Sequence, residues 1–371
     1  MLTLSPSPGE VSASENATAK QAKQKKILMR RISPDRSQGI RRAVQLAFLV
    51  LNAVIGVQFI LWVRYFESGG TARYFERPAG VDGWLPIAGL MNLRYFLVVG
   101  TVPPIHPSAM VLLCVFLVSS LLVKKAFCSW LCPVGTVSEY LWKLGRKLFR
   151  HNLVLPKWLD VALRGLKYVL LAFFVYIVFT MPAMDLGDFL ASPFGIVADV
   201  KMLNFFRYMG FVGIIVILAL VVLSVLVQNF WCRFLCPYGA LMGIVSVLSP
   251  VKIRRDAQAC IDCGKCNKAC PSLLPVDSLV RIRSVECTGC MECVAVCPAE
   301  NALQMALLPQ KAETAAARWR GRVLMPRTIV AVLAIVFLGL IGTARITGHW
   351  QTNLAREVYM QLVPNAENID H

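Results

Sequence analysis

Five apolar runs, at about 43–62, 107–123, 168–183, 208–228 and 327–343, constrain this chain more than any other feature. Each approaches the roughly 17–25 residues that a helix needs to cross a ~30 Å hydrocarbon core. Inside that core every backbone polar group must be bonded within its own segment. Composition agrees: the 371 residues are 57% apolar and 16% charged, against roughly 45–50% and about 25% in soluble domains. A weaker run over 84–99 carries Pro86, Gly89, Asn92 and Arg94 and reads as re-entrant or interfacial.

Charge sets the expected topology. The chain has 39 Lys and Arg against 21 Asp and Glu, a net +18. Nucleic acid is one reading of such a balance, but the basic residues gather at membrane edges and not on a soluble face. Residues 1–42, 124–167 and 229–327 hold 31 of them, and the alternate segments 63–106, 181–207 and 344–371 hold 8. This asymmetry predicts five spans, with the N-terminus in the cytoplasm and the C-terminus outside. A sixth span at 84–99 would break the alternation. Residues 1–42, polar and rich in Ser, Ala and Lys, read as a disordered basic tail and not as a signal peptide.

The most specific chemistry lies between the fourth and fifth runs. Cys260, Cys263, Cys266 and Cys270-Pro271 form a C-x2-C-x2-C-x3-C-P run, repeated by Cys287, Cys290, Cys293 and Cys297-Pro298. In the bacterial form of this run the fourth Cys serves the other cluster. The expected [4Fe–4S] sets are therefore Cys260, Cys263, Cys266 and Cys297 for one cluster, and Cys287, Cys290, Cys293 and Cys270 for the second. Gly264 and Gly289 fall where the backbone must turn and offer N–H groups. Zinc modules show pairs of C-x2-C, not triplets with a fourth Cys before Pro. Over about residues 255–308 the segment resembles two-cluster bacterial ferredoxins. Its basic flanks (Lys252, Arg254, Arg255, Arg281, Arg283) suit a negatively charged cluster and an anionic membrane surface.

Four more cysteines fall in a second repeat. Cys128 and Cys132-Pro133 follow the second run, and Cys232 and Cys236-Pro237 follow the fourth, 104 residues later, in the shared pattern C-x-[WF]-L-C-P-x-G. This reads as duplication of a two-span unit. Four readings stay open for these pairs: one shared iron–sulfur cluster, copper or another soft metal, redox-active dithiols, or packing at a helix end. Each pair is expected on one face of a helix that Pro and Gly then break. Cys114 reads as packing.

Paired C-x3-C-P motifs followed by two C-x2-C-x2-C-x3-C-P runs resemble the membrane polyferredoxins of the NapH/MauN type, over about residues 40–350. They are also similar to the C-terminal membrane portion of NosR/NirI-type proteins. Leu85-Pro86-Ile87-Ala88-Gly89-Leu90-Met91, His106-Pro107 and Gly348-His349-Trp350 lean toward that branch, although only a 42-residue tail stands where NosR carries a periplasmic flavin-binding domain. The CcoG/RdxA/FixG group, tied to oxidase assembly and copper reduction, is a more distant likeness. The resemblance implies electron transfer at the bacterial inner membrane between the quinone pool or a cytoplasmic donor and a respiratory redox partner. The rival functions are metal handling during enzyme maturation and redox-sensing regulation.

The expected architecture is an α-helical polytopic membrane protein with a small α+β two-cluster ferredoxin-like domain. Its parts are the tail 1–42, a membrane domain 43–249, the ferredoxin-like domain 250–310, and a fifth span with a short periplasmic tail over 311–371. The partners are the lipid bilayer, redox proteins and a candidate quinone. His106 and His349 read as interfacial turn residues, with haem or quinone binding as the alternative. Asp185, Asp188 and Asp199 read as solvated, with quinol deprotonation as the alternative. Arg94 is costly in lipid unless it snorkels. The chain holds no P-loop, no G-x-G-x-x-G before a helix and no Ser/His/Asp arrangement.

Overall fold

The computed structural model describes residues 31, 35–307 and 322–369. The expected disordered tail lies largely outside them. Its last residues belong to the first helix, which starts at Ser37 and runs to Glu67. Three helices are long and apolar enough to cross a bilayer: Ser37–Glu67, Lys157–Thr180 and Pro326–Ile346. Only 17%, 11% and 17% of their most apolar stretches are buried, so most of their apolar surface faces outward, where lipid is its natural solvent. Ala198–Arg207 and Phe211–Leu226 form a pair bent by 83°, a fourth candidate span if the two count as one. The runs expected at 107–123 and 208–228 are the helices Pro107–Val123 and Phe211–Leu226, of 17 and 16 residues. At 1.5 Å per residue these reach only about 24–26 Å.

Pro107–Val123 occupies the centre. It is apolar all round and packs against Pro86–Val99, Pro326–Ile346 and Pro237–Val245, which is how a helix with no polar face behaves. The segment expected to be re-entrant or interfacial is the helix Pro86–Val99, with Pro86 at its first position and Gly100 closing it in the left-handed conformation. Proline suits the first turn, whose N–H groups have no helical partner, and glycine takes positive φ without strain. Gly145 lets the helix Pro133–Phe149 approach Phe211–Leu226 closely, because a Cβ there would lie 1.9 Å from the Val225 carbonyl.

The ferredoxin-like part is small. Strand β1 (Val251–Arg255) pairs antiparallel with β2 (Leu303–Leu307), with Ile253 opposite Met305. Two short helices, Lys265–Ala269 and Glu292–Ala295, carry the third cysteine of each run. This part does not stand apart from the membrane helices. A single apolar core joins Val251, Ile253, Leu274 and Met305 to Val115, Phe116, Phe127, Trp130, Met242 and Leu333. A second core joins Phe59, Trp62 and Phe66 of the first helix to Val197, Val200, Tyr359 and Val363.

Candidate iron–sulfur centres

The two ferredoxin loops share one backbone device. Asp262 and Gly264 flank Cys263 with φ of 53° and 67°, and Gly289 and Met291 flank Cys290 with φ of 65° and 59°. Left-handed residues on either side of a ligand turn successive N–H groups inward, as in anion-binding nests. The sequence marked only the glycine of each pair. Asp262 and Met291 hold the same conformation at a steric cost, which is accepted where surrounding structure enforces it.

Each fourth cysteine lies near cysteines of the other run. Cys270 lines one small pocket together with Cys287, Cys290 and Cys293, and its charge acts on Cys290 and Cys293. Cys297 instead feels Cys260 and Cys263. Burial is the main cause that pushes Cys266 up to about 11 and Cys290 up to about 12, with Cys293 well above the ordinary thiol value. Such thiols keep their protons at neutral pH until a metal displaces them. Cys263 alone among the eight is exposed.

The C-x3-C-P pairs take a shape that the sequence reading did not anticipate. Neither pair lies on one continuous helix. Cys128 sits in the short helix Ala126–Trp130 and Cys232 in the π-helix Trp231–Leu235. The Cys132 N–H donates to the Phe127 carbonyl at 2.9 Å and the Cys236 N–H to the Trp231 carbonyl at 3.0 Å. Both are wide, five-residue closures. Pro133 and Pro237 do not break a helix but begin the next one, with Cys132 and Cys236 as its N-caps. The Gly135 N–H donates to Cys132 Sγ at 3.5 Å and the Gly239 N–H to Cys236 Sγ at 3.3 Å.

The two pairs converge. Cys232 feels the charges of Cys236, Cys132 and Cys128, and Cys128 those of Cys132 and Cys236. Burial drives Cys128 up to about 12 and Cys132 to about 11. Met242 Sδ lies 3.9 Å from Cys128 Sγ, and Tyr238, also raised by burial, feels Cys236, Cys132 and Cys128. Among the described residues no three cysteine sulfurs lie within 4.8 Å of one another. The donor set, four partly buried thiols, fits iron–sulfur ligation.

Contacts bind this site to the second ferredoxin loop. Trp130 Nε1 donates to the Gly289 carbonyl at 3.2 Å and Ser129 Oγ to the Thr288 carbonyl at 2.8 Å. Arg41, buried, grips Glu139 through two 2.6 Å contacts and Glu292 at 2.8 Å. Lys167 Nζ meets both oxygens of Glu286, the residue before Cys287, at 2.6 and 2.7 Å.

The other sequence candidates separate. His106 is not a surface turn residue: it is buried at φ 52°, with Nδ1 2.9 Å from Asp82 and Nε2 3.0 Å from the Gly195 carbonyl. Asp82, His106 and Asp199 form the one trio of His, Cys, Asp or Glu ligand atoms within 4.8 Å among the described residues. The cation they hold is Arg77, bonded to Asp82 and, at 2.8 and 2.9 Å, to Asp199. The charge of Asp82 raises His106 against the opposing effect of its burial. Neither Arg77 nor Asp82 carried any local signal. Asp199 is thus buried and paired, while Asp185, Asp188 and His349 are exposed. Arg94 reaches back to the Val178 carbonyl and packs over Phe179.

Comparison with known proteins follows the same division. A model described as a 4Fe-4S binding domain matches twice, over residues 105–152 and 209–256. A 4Fe-4S dicluster domain matches residues 252–298. The electron transport protein YccM of Escherichia coli K12 is 51% identical over 331 residues, covering 89% of this chain and 91% of its own. NirI of Paracoccus denitrificans is 30% identical over 47% of this chain and 25% of its own. The ferredoxin-type protein NapH of Escherichia coli K12 is 29% identical over 47% of this chain and 59% of its own. No solved structure matches. With the cysteine loops and the apolar helices in place, these likenesses identify an iron–sulfur electron-transport protein of the membrane, and the chain belongs to the same family as YccM.

Proposed function

We propose that this protein carries single electrons between the quinone pool or a cytoplasmic donor and a respiratory redox partner, at the bacterial inner membrane. In this reading it uses three iron–sulfur centres. Two are held by the crossed sets Cys260, Cys263, Cys266, Cys297 and Cys287, Cys290, Cys293, Cys270. The third is held by Cys128, Cys132, Cys232 and Cys236. The observation that carries the reading is the convergence of the two C-x3-C-P pairs beside the second ferredoxin loop, locked by the Trp130–Gly289 hydrogen bond.

A bound cluster supplies reversible one-electron chemistry without a substrate pocket. The protein's own part is to hold and insulate. Partial burial of Cys128, Cys132, Cys232 and Cys236 limits water at the thiols, and the Gly135 and Gly239 N–H groups support two of them. The exposure of Cys263 is consistent with the first ferredoxin loop facing a soluble partner. Topology follows the charge count: five spans, with the N-terminus and ferredoxin-like part in the cytoplasm and the C-terminus in the periplasm.

Redox-titrated EPR with metal analysis of the purified protein tests this. The expected content is about twelve irons per chain, as three [4Fe–4S] centres require. Cys132→Ser or Cys236→Ser should remove one centre, abolish electron transfer and leave the other two centres assembled. A wild-type protein with about eight irons, or with copper at the four thiols, would overturn the third centre.

A further inference from the structure

Lys125 is a largely buried lysine whose ammonium makes no hydrogen bond or ion pair among the described residues, although its charge reaches Glu286. It is 3% exposed and precedes the short helix that carries Cys128. Neighbouring lysines are satisfied: Lys124 Nζ donates to the Ser284 carbonyl at 3.1 Å, and Lys167 Nζ is fully engaged with Glu286. Among the described residues no hydrogen-bond or ion-pair acceptor takes the Lys125 ammonium. Glu286 feels its charge, but that carboxylate is already held by Lys167 and Tyr168. The ammonium lies in a slot between the helix Pro237–Val245 and the second ferredoxin loop. A Cβ built on Gly243 would stand 3.7 Å from Lys125 Nζ and 2.9 Å from the Val285 carbonyl. The adjacent Met242 touches Cys128, and Cys236 caps that same helix.

Burying most of a lysine is costly unless its charge acts on nearby anionic groups. Besides Glu286, the acidic groups that feel the Lys125 charge are thiols of the C-x3-C-P pairs: Cys128, Cys232 and Cys236. We propose that Lys125 is the counter-ion of an anionic redox centre held by Cys128, Cys132, Cys232 and Cys236, and that it sets the potential of that centre. The inference rests on the third centre proposed above. Four thiolates make such a cluster anionic, and reduction adds a further negative charge. A fixed cation beside it stabilises the reduced form more than the oxidised form, so it raises the potential. The second copy of the motif has no equivalent charge: the residue three before Cys232 is Asn229, where the first copy has Lys125. The duplicated halves are therefore electrostatically unequal, and the cation sits on the side facing the ferredoxin loop.

The test is redox-titrated EPR on the full-length wild type, Lys125→Met and Lys125→Arg, with iron content measured for each. The expected result is a third centre whose midpoint potential falls in Lys125→Met and stays near wild type in Lys125→Arg, while the ferredoxin signals do not move. Loss of the third centre in Lys125→Met with retention in Lys125→Arg would also support the counter-ion role. An unchanged potential in an iron-replete Lys125→Met protein, or loss of the centre in both variants, would overturn it. A wild type lacking a third signal would instead sink the three-centre reading itself, so the two failures are distinguishable.

Discussion

The indole N–H of Trp130 donates to the carbonyl of Gly289 across 3.2 Å, both groups buried between the membrane helices and the second ferredoxin loop. Trp130 lies inside the first C-x3-C-P motif, and Gly289 precedes Cys290. One hydrogen bond thus ties the two cysteine systems. Trp130→Phe keeps much of the ring but leaves the Gly289 carbonyl without this donor, a loss of about 1–3 kcal/mol for a buried group. The expected outcome is a perturbed EPR line shape for the second ferredoxin cluster and an unaltered first cluster. Equal effects on both would refute the specific coupling.

The two motif glycines are alike in sequence but not in space. A Cβ on Gly135 would lie 2.2 Å from the Cys128 carbonyl, whereas one on Gly239 would lie 3.6 Å from the Cys232 carbonyl. Gly135→Ala should therefore lose the third centre, and Gly239→Ala should keep it. Iron content of the two purified variants decides the matter, and equal content would remove the argument.

Crossed ligation makes a reciprocal prediction. Cys297→Ala should damage the cluster of Cys260, Cys263 and Cys266, and Cys270→Ala that of Cys287, Cys290 and Cys293. Site-resolved spectroscopy that finds each change harming its own run instead would reject the arrangement.

Topology is open to fusion reporters. A phosphatase joined after Ile369 should be active in the periplasm, and one joined after Leu307 inactive, because 31 of 39 basic residues lie in the segments assigned to the cytoplasm. The reverse pattern would shift the parity, with Pro86–Val99 as the extra span.

Glu139 predicts an acid sensitivity. Burial opposes its charge, but the hydrogen bonds and charges of Arg41 and Lys143 hold it at about 2, below the ordinary carboxylate range of about 4.3. A depressed carboxyl contributes stability above its unfolded value, and that contribution is lost as pH falls toward the folded value. Thermal unfolding of the wild type should weaken between about pH 4.5 and pH 2, and Glu139→Gln should be weaker at neutral pH with a flatter slope. Identical slopes would show that Glu139 does not carry the effect.

Much of this protein is written locally. The apolar runs announce their helices, because burying 20 residues of backbone in lipid leaves few alternatives. The triplets Cys260, Cys263, Cys266 and Cys287, Cys290, Cys293 announce their loops, because three thiols two residues apart must wrap one object. Proline was ambiguous: Pro133 and Pro237 read as helix breakers but serve at the first helical position, where their missing N–H costs nothing. Only packing could decide the rest. Cys128 and Cys232 are 104 residues apart, and their meeting depends on how the helices that carry them pack. The quartet of Arg77, Asp82, His106 and Asp199, and the placing of Lys125 beside the C-x3-C-P pairs, have no sequence signature. A charge acquires its role from whatever is buried beside it, and burial is a property of the folded whole.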